Sequence, residues 1–151
     1  MRIPDYANKL RKEVQKSDYV PSIDGRTFCN LFVREVSAWH GWNNFNTQQT
    51  DQAGEMVKLI SNHPQWHFVD VPNAQFCANR GNLVIAGMIE QSAHATGHVC
   101  IIMPGTLGFS FKWMSRVPMC ANVGKTNFTD KTTNWAFKSR PGMWVWSGSF
   151  V

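Results

Sequence analysis

This sequence lacks several features, and each absence removes a class of protein. The opening Met1-Arg2-Ile3-Pro4-Asp5-Tyr6 has no apolar core of the kind a secretory signal needs, and no apolar run approaches the roughly 20 residues that cross a bilayer. A chain made in the cytoplasm, with no membrane partner, is expected. No C-x-x-C pair occurs. Cys29, Cys77, Cys100 and Cys120 are widely spaced, which suggests neither a zinc ribbon nor a thioredoxin motif, and without an export signal reduced thiols are expected. Lys9, Arg11, Lys12 and Lys16 cluster near the start, but no long basic run or arginine stripe with interleaved aromatics follows. A nucleic acid partner is therefore not expected, although the formal charge of +5 and a pI near 9.2 favour anionic partners in general. There is no internal repeat.

What is present fits one globular domain over residues 1–151. The chain is 43% hydrophobic and 17% charged, and its length is enough to bury a single core. Residues 1–20 read as a leading helical arm, with Tyr6, Leu10 and Val14 recurring every four positions. Asp18 to Arg26, with Pro21 and Asp24-Gly25, reads as a loop. A helix should follow from about Phe28 and end at His40-Gly41, where glycine suits the left-handed position past a helix end and His40 suits the negative end of its dipole. Thr50-Asp51 should start a further helix with Ala53, Met56, Val57 and Ile60 buried, ended by Pro64. Trp66 to Val71 reads as an edge strand, and Pro72 to Asn79 as a short helix closed by Gly81. His63 and His67 have ligand-like spacing, but Pro64 breaks the helix that would pair them, so no metal is expected there.

Two apolar runs mark buried strands: Asn82 to Ile89, and Gly97 to Gly105, which opens on His98. Val117 to Gly124 reads as a third strand with Asn122 near its end. Thr129 to Ser139 suggests a short helix around Trp135, and Met143 to Trp146 a final strand. Seven tryptophans are many for this length. Trp42, Trp113 and the Trp144/Trp146 pair are candidates to line a groove for sugar or peptide.

The chemistry centres on Cys29. Phe28, Leu31, Phe32, Val36 and Trp39 form an apolar stripe, and Cys29 stands at its edge in the first helical turn, where unpaired amides and the dipole favour a thiolate. Free cysteines are more often small buried hydrophobes, which is what Cys77, Cys100 and Cys120 are expected to be. His98, at the mouth of a buried strand, is held by the sheet while its ring can still reach solvent, as a general base must. Because sequential strands usually neighbour one another, Asn122 should come within reach of His98.

A cysteine in a helix's first turn, a histidine opening a later strand and a polar residue on the next are the parts of a Cys-His-polar triad. In this respect the sequence resembles the papain-like cysteine amidases of the NlpC and CHAP type, which cut peptide bonds in bacterial cell walls. Three stretches carry the resemblance: Thr27-Phe28-Cys29-Asn30-Leu31-Phe32-Val33, Ala78 to Ala86, and Gly97-His98-Val99 with Met103-Pro104-Gly105. The resemblance implies an α+β, papain-like single domain whose N-terminal helices pack on an antiparallel sheet, with residues 27–124 carrying the triad. It makes Cys29 the nucleophile, its backbone N–H part of an oxyanion site, His98 the base and then the acid, and Asn122 the residue that orients the imidazole. Asn127 and Asp130 remain open for that third place. His94 is a competing base, and a zinc site at His94/His98 is an alternative, as is a noncatalytic glycan- or peptide-binding module. The resemblance implies no metal or organic cofactor. It further implies a monomer acting on bacterial peptidoglycan, in the periplasm of a target cell or on the host wall as a phage lysin, with an immunity protein as partner if the chain is an injected toxin.

Overall fold

The computed structural model describes residues 2–45, 52–89 and 97–149. Among them are four helices, α1 (Ile3–Val14), α2 (Cys29–Trp39), α3 (Ala53–Asn62) and α4 (Val71–Asn79). The strands are β1 (Trp66–Phe68), β2 (Val84–Met88), β3 (His98–Ile102), β4 (Gly108–Ser110), β5 (Ser115–Val117), β6 (Met119–Asn122), β7 (Phe128–Thr132) and β8 (Gly142–Trp146). Six of them form one sheet in the order β1-β8-β2-β3-β6-β7, every neighbour antiparallel, while β4 and β5 pair separately as a hairpin. The class is α+β.

The continuous apolar runs are explained by the two faces of this sheet. Val99 and Ile101 of β3, with Met103 just after it, enter one core with α1, α2 and α3, whereas Cys100 and Ile102 enter a second core with Ala74 and Ala78 of α4. Ile85 on β2 joins the first core, and Val84 and Ala86 join the second. A strand covered on both sides has no position left for a polar side chain. Tyr6, Leu10 and Val14 of α1 are all buried, so the leading arm is part of the first core.

Two sequence expectations change here. Thr129 to Ser139 is not a helix: Phe128–Thr132 is an edge strand paired with β6, and only Thr133–Trp135 makes a single 3-10 turn. The threonines at 129 and 132 suit a pleated edge better than a helix. The expected strand from Val117 is cut at Pro118, where β5 leaves the hairpin and β6 enters the main sheet. The last strand, β8, runs between β1 and β2, inside the sheet. The helix start expected at Thr50-Asp51 lies outside the described residues, and α3 is seen from Ala53 with Ala53, Met56, Val57 and Ile60 buried, as its spacing predicts.

Candidate active site

The loop before α2 is closed by local bonds. Ser22 N–H donates to the Arg26 carbonyl (2.9 Å), Arg26 N–H donates to Ser22 Oγ (2.9 Å), and Gly25 N–H donates to the Ser22 carbonyl (3.0 Å). The helix then begins without a side-chain cap, since Phe28 occupies the N-cap, and its first intrahelical bond runs from Phe32 N–H to the Phe28 carbonyl (3.1 Å). The Cys29 amide therefore lies ahead of the ladder.

The buried face of α2 is Cys29, Phe32, Val33, Val36 and Ser37, a regular helical stripe. This corrects the expectation that Cys29 sits at the stripe's edge. Phe28, Leu31 and Trp39 are only partly buried, so the face is rotated by about one residue and the thiol heads it, with 7% of the residue exposed. The ionisation expectation changes with it. Burial pushes the Cys29 thiol above its ordinary value, and the nearby backbone amides of Val99, Asn30 and Cys29 offset only part of the shift. The resting group is a neutral thiol.

Packing locates the thiol. Cys29 and Val99, the second residue of β3, lie in the same core, which sets the head of α2 beside that strand. The thiol approaches from the α2 side of the strand. The His98 ring projects from the opposite face, tilted against Phe137 of the second core with centroids 5.0 Å apart. Gly97 makes this strand entry possible: its φ is +84°, and a Cβ there would stand 2.3 Å from the Met88 carbonyl oxygen.

His98 Nε2 and Asn122 Oδ1 are 2.7 Å apart. The amide's orientation follows from its other end, where Asn122 Nδ2 donates to the Thr126 carbonyl (2.9 Å). The atom facing the ring is thus an acceptor, which makes Nε2 the protonated nitrogen and puts the imidazole lone pair on Nδ1. Asn122 is 4% exposed and His98 only half-buried, so the hydrogen bond sits at the edge of the core where the ring can reach solvent. Asn127 is occupied elsewhere, its Oδ1 accepting from Gly124 N–H (2.9 Å) and its Nδ2 donating to the Tyr19 carbonyl (2.8 Å). Asp130 pairs with Arg11 at 2.7 Å, and the guanidinium holds its carboxyl below the usual range. Of the three candidates, Asn122 is the one bonded to His98.

A cleft of about 820 Å³ opens beside this pair. His98, Asn122 and Gly124 line it together with Gly25 and Thr27 of the loop before α2 and with Lys125, Trp135 and Lys138, whereas Cys29 is not among the lining residues. Gly124 packs beneath the imidazole, since a Cβ there would lie 3.1 Å from His98 Cε1.

The tryptophan expectations are corrected. Trp42 is 3% exposed and sits edge-on to Phe45, His63, Trp66 and Trp146, with centroids 4.9–5.8 Å apart, so it presents no face to a ligand. Trp113 packs against the second core, and Arg140 donates to its carbonyl. It is not among the residues lining the His98 cleft. The tryptophan that lines the cleft is Trp135, which sequence reasoning placed in a helix; its place right after a threonine-rich edge strand was the available signal.

His40 caps α2 as expected, but without the charge. Burial, with Lys9 contributing, lowers its value to about 4, and its Nε2 has no hydrogen-bond partner. Cys100 and Cys120 are fully buried, and burial together with the neighbouring Cys120 thiol pushes the Cys100 thiol up. Cys77 is half-buried and more exposed than Cys29. His94 lies outside the described residues, and no group of three His, Cys, Asp or Glu that could hold a metal occurs among the described ones. No described helix is long and apolar enough to cross a membrane. No protein-family model matches the chain, and no curated protein matches it.

Proposed function

We propose that this chain is a papain-like cysteine amidase of the NlpC and CHAP type that hydrolyses an amide bond in the peptide of peptidoglycan through a thioester. The observation that carries the reading is the 2.7 Å bond from His98 Nε2 to Asn122 Oδ1, with Cys29 opening the helix that packs on the strand His98 begins. In the proposed sequence, His98 Nδ1 takes the thiol proton as Cys29 Sγ attacks the scissile carbonyl. The Cys29 backbone N–H faces the oxygen as it gains charge. The imidazolium then protonates the leaving amine, which departs and leaves an acyl group on sulfur. Water, deprotonated by the same nitrogen, cleaves the thioester and restores the thiol.

Because burial keeps the thiol neutral at rest, His98 acts here as a general base toward a thiol and not as one half of a standing ion pair. Asn122 cannot neutralise imidazolium by charge, so its part is to hold the ring's orientation and tautomer. The same reading places the enzyme on the cell wall of a target or host bacterium, with an immunity protein as partner if it is a toxin. The test is mass spectrometry of purified peptidoglycan after digestion. A new peptide amine means an endopeptidase, and a freed lactyl group means a muramoyl-alanine amidase. Loss of turnover on thiol alkylation supports the cysteine reading. Loss on chelation alone replaces it with a zinc enzyme, and binding without turnover replaces it with a noncatalytic module.

A further inference from the structure

We infer that the β4–β5 hairpin is a membrane-surface contact, in which Phe109, Phe111 and Met114 enter the headgroup layer of an anionic bilayer while Lys112, Arg116 and Arg140 meet the lipid phosphates. The inference stands apart from the chemistry at Cys29. The expectation of no membrane partner rested on spanning runs, and no described helix is long and apolar enough to cross a membrane. Neither fact bears on contact with one face of a bilayer.

The first observation is what the hairpin exposes. Phe109 pairs with Arg116 and Ser110 with Ser115, so strand alternation turns Ser110 and Val117 inward, where they are buried, and Phe109 and Arg116 outward. Phe111 and Met114 follow in the turn, 82% and 72% exposed, and Phe109 is 49% exposed. The two phenyl rings meet edge-on with centroids 5.1 Å apart. Single exposed apolar side chains are ordinary, but these adjoin one another in a short turn and make a patch.

The second observation is that the turn is held in this shape. Trp113 packs against the second core, and its N–H donates to Ser110 Oγ (3.1 Å). Lys112 Nζ donates to the Phe137 carbonyl (3.0 Å), and Arg140 donates to the Trp113 carbonyl. The fold thus anchors the indole and leaves Phe111 and Met114 outside. Phe137 also lines the His98 cleft, so a bilayer on this hairpin would lie close to the cleft.

The third observation is charge. Asp130 is the single acid of residues 91–151, and it is paired with Arg11. The ion pairs among the described residues occupy Arg2, Arg11, Lys16, Arg26 and Lys58, so no carboxylate neutralises Lys112, Arg116 or Arg140 there. Cations around an apolar tip can lay their stems along it and keep their charge at the phosphates. Area decides between a bilayer and a protein. The three apolar side chains expose roughly 400 Å², about half of what one partner in a stable protein complex buries. A bilayer takes a tip of that size together with its rim of charge.

The test is co-sedimentation of the whole chain with vesicles of phosphatidylcholine alone or mixed with phosphatidylglycerol. Binding should be at least about tenfold stronger to the mixed vesicles. Phe111→Ser/Met114→Ser, at two exposed positions, should keep the melting temperature and lose at least about tenfold in binding. Arg116→Gln should lose about fivefold, which is what one cation near an anionic surface supplies. Lys12→Gln removes the same charge from α1, which packs on the other face of the sheet, and should lose no more than about twofold. Equal binding to the two kinds of vesicle, undiminished binding of the double Ser variant, or equal losses from Lys12→Gln and Arg116→Gln would overturn the inference. Binding to neither vesicle would overturn it too, and a dimer in sedimentation velocity that the double Ser variant abolishes would then assign the patch to a second copy of the chain.

Discussion

His98 Nε2 stands 2.7 Å from Asn122 Oδ1 at the lining of the cleft, and the Thr126 carbonyl turns the amide so that it can only accept there. That pairing selects Nδ1 as the basic nitrogen. Asn122→Ala should lower turnover about ten- to a hundredfold while Cys29→Ala or His98→Ala abolishes it, since orientation is lost and the nucleophile is not. Asn122→Asp should retain more activity than Asn122→Ala. Asp130→Ala should stay within about twofold, because Asp130 serves an exposed pair with Arg11. Wall-digestion rates across this set check the assignment, and a neutral Asn122→Ala beside a tenfold loss at Asp130 would reverse it.

Gly124 supplies a finer probe. Its absent Cβ is what leaves room for the imidazole, and Gly124→Ala would put a methyl 3.1 Å from His98 Cε1. The ring must move by a few tenths of an ångström. Turnover should fall roughly three- to tenfold with the melting temperature nearly unchanged. Unaltered kinetics would mean that the ring's position is not critical.

The buried thiol predicts slow alkylation at neutral pH. Because burial raises the Cys29 value, its thiolate fraction lags behind that of a free thiol, and iodoacetamide labelling should climb only as pH rises through and beyond the ordinary thiol range. Cys77 is the more exposed cysteine, so the measurement belongs in a Cys77→Ser background, with Cys100 and Cys120 remaining unlabelled. Rapid labelling of Cys29 below pH 7 would show a thiolate that this account does not contain.

His40 gives a stability prediction whose sign is fixed. Its folded value, about 4, lies below the unfolded 6.5, so protons bind the unfolded chain more readily and stability is lost as pH falls from about 6.5 toward 4. At pH 4.5 the loss from this group should be about 2–3 kcal/mol relative to neutral pH. His40→Phe should remove that part of the acid sensitivity, as read from urea unfolding at pH 7 and 4.5. Equal losses in both proteins would mean that His40 is not held neutral.

The sequence was most legible where physics acts locally or twice over. Runs covered on both faces, such as Val84–Met88 and His98–Ile102, showed as strands because no polar position was tolerated. The His98–Asn122 approach was legible because β6 follows β3 in the main sheet, with only the β4–β5 hairpin between them. What escaped depended on long-range placement. The rotation of α2 that buries Cys29 is set by packing against β3, and a stripe drawn from Phe28, Leu31 and Trp39 cannot reveal it. The insertion of β8 between β1 and β2 joins residues far apart in the chain. Trp42 and Trp135 carry the same side chain, and only the fold sends one into the core and the other to the cleft wall.

The central claim, that Cys29 carries the acyl group, is tested most directly by trapping it. The protein is mixed with soluble peptidoglycan fragments, quenched in acid within the first turnovers, digested and mapped by mass spectrometry. The account predicts a fragment mass added to the peptide that contains Cys29, released by hydroxylamine as a thioester is, and absent from Cys29→Ala. An adduct on Cys77, or fragments cleaved at an undiminished rate by Cys29→Ala, would contradict it.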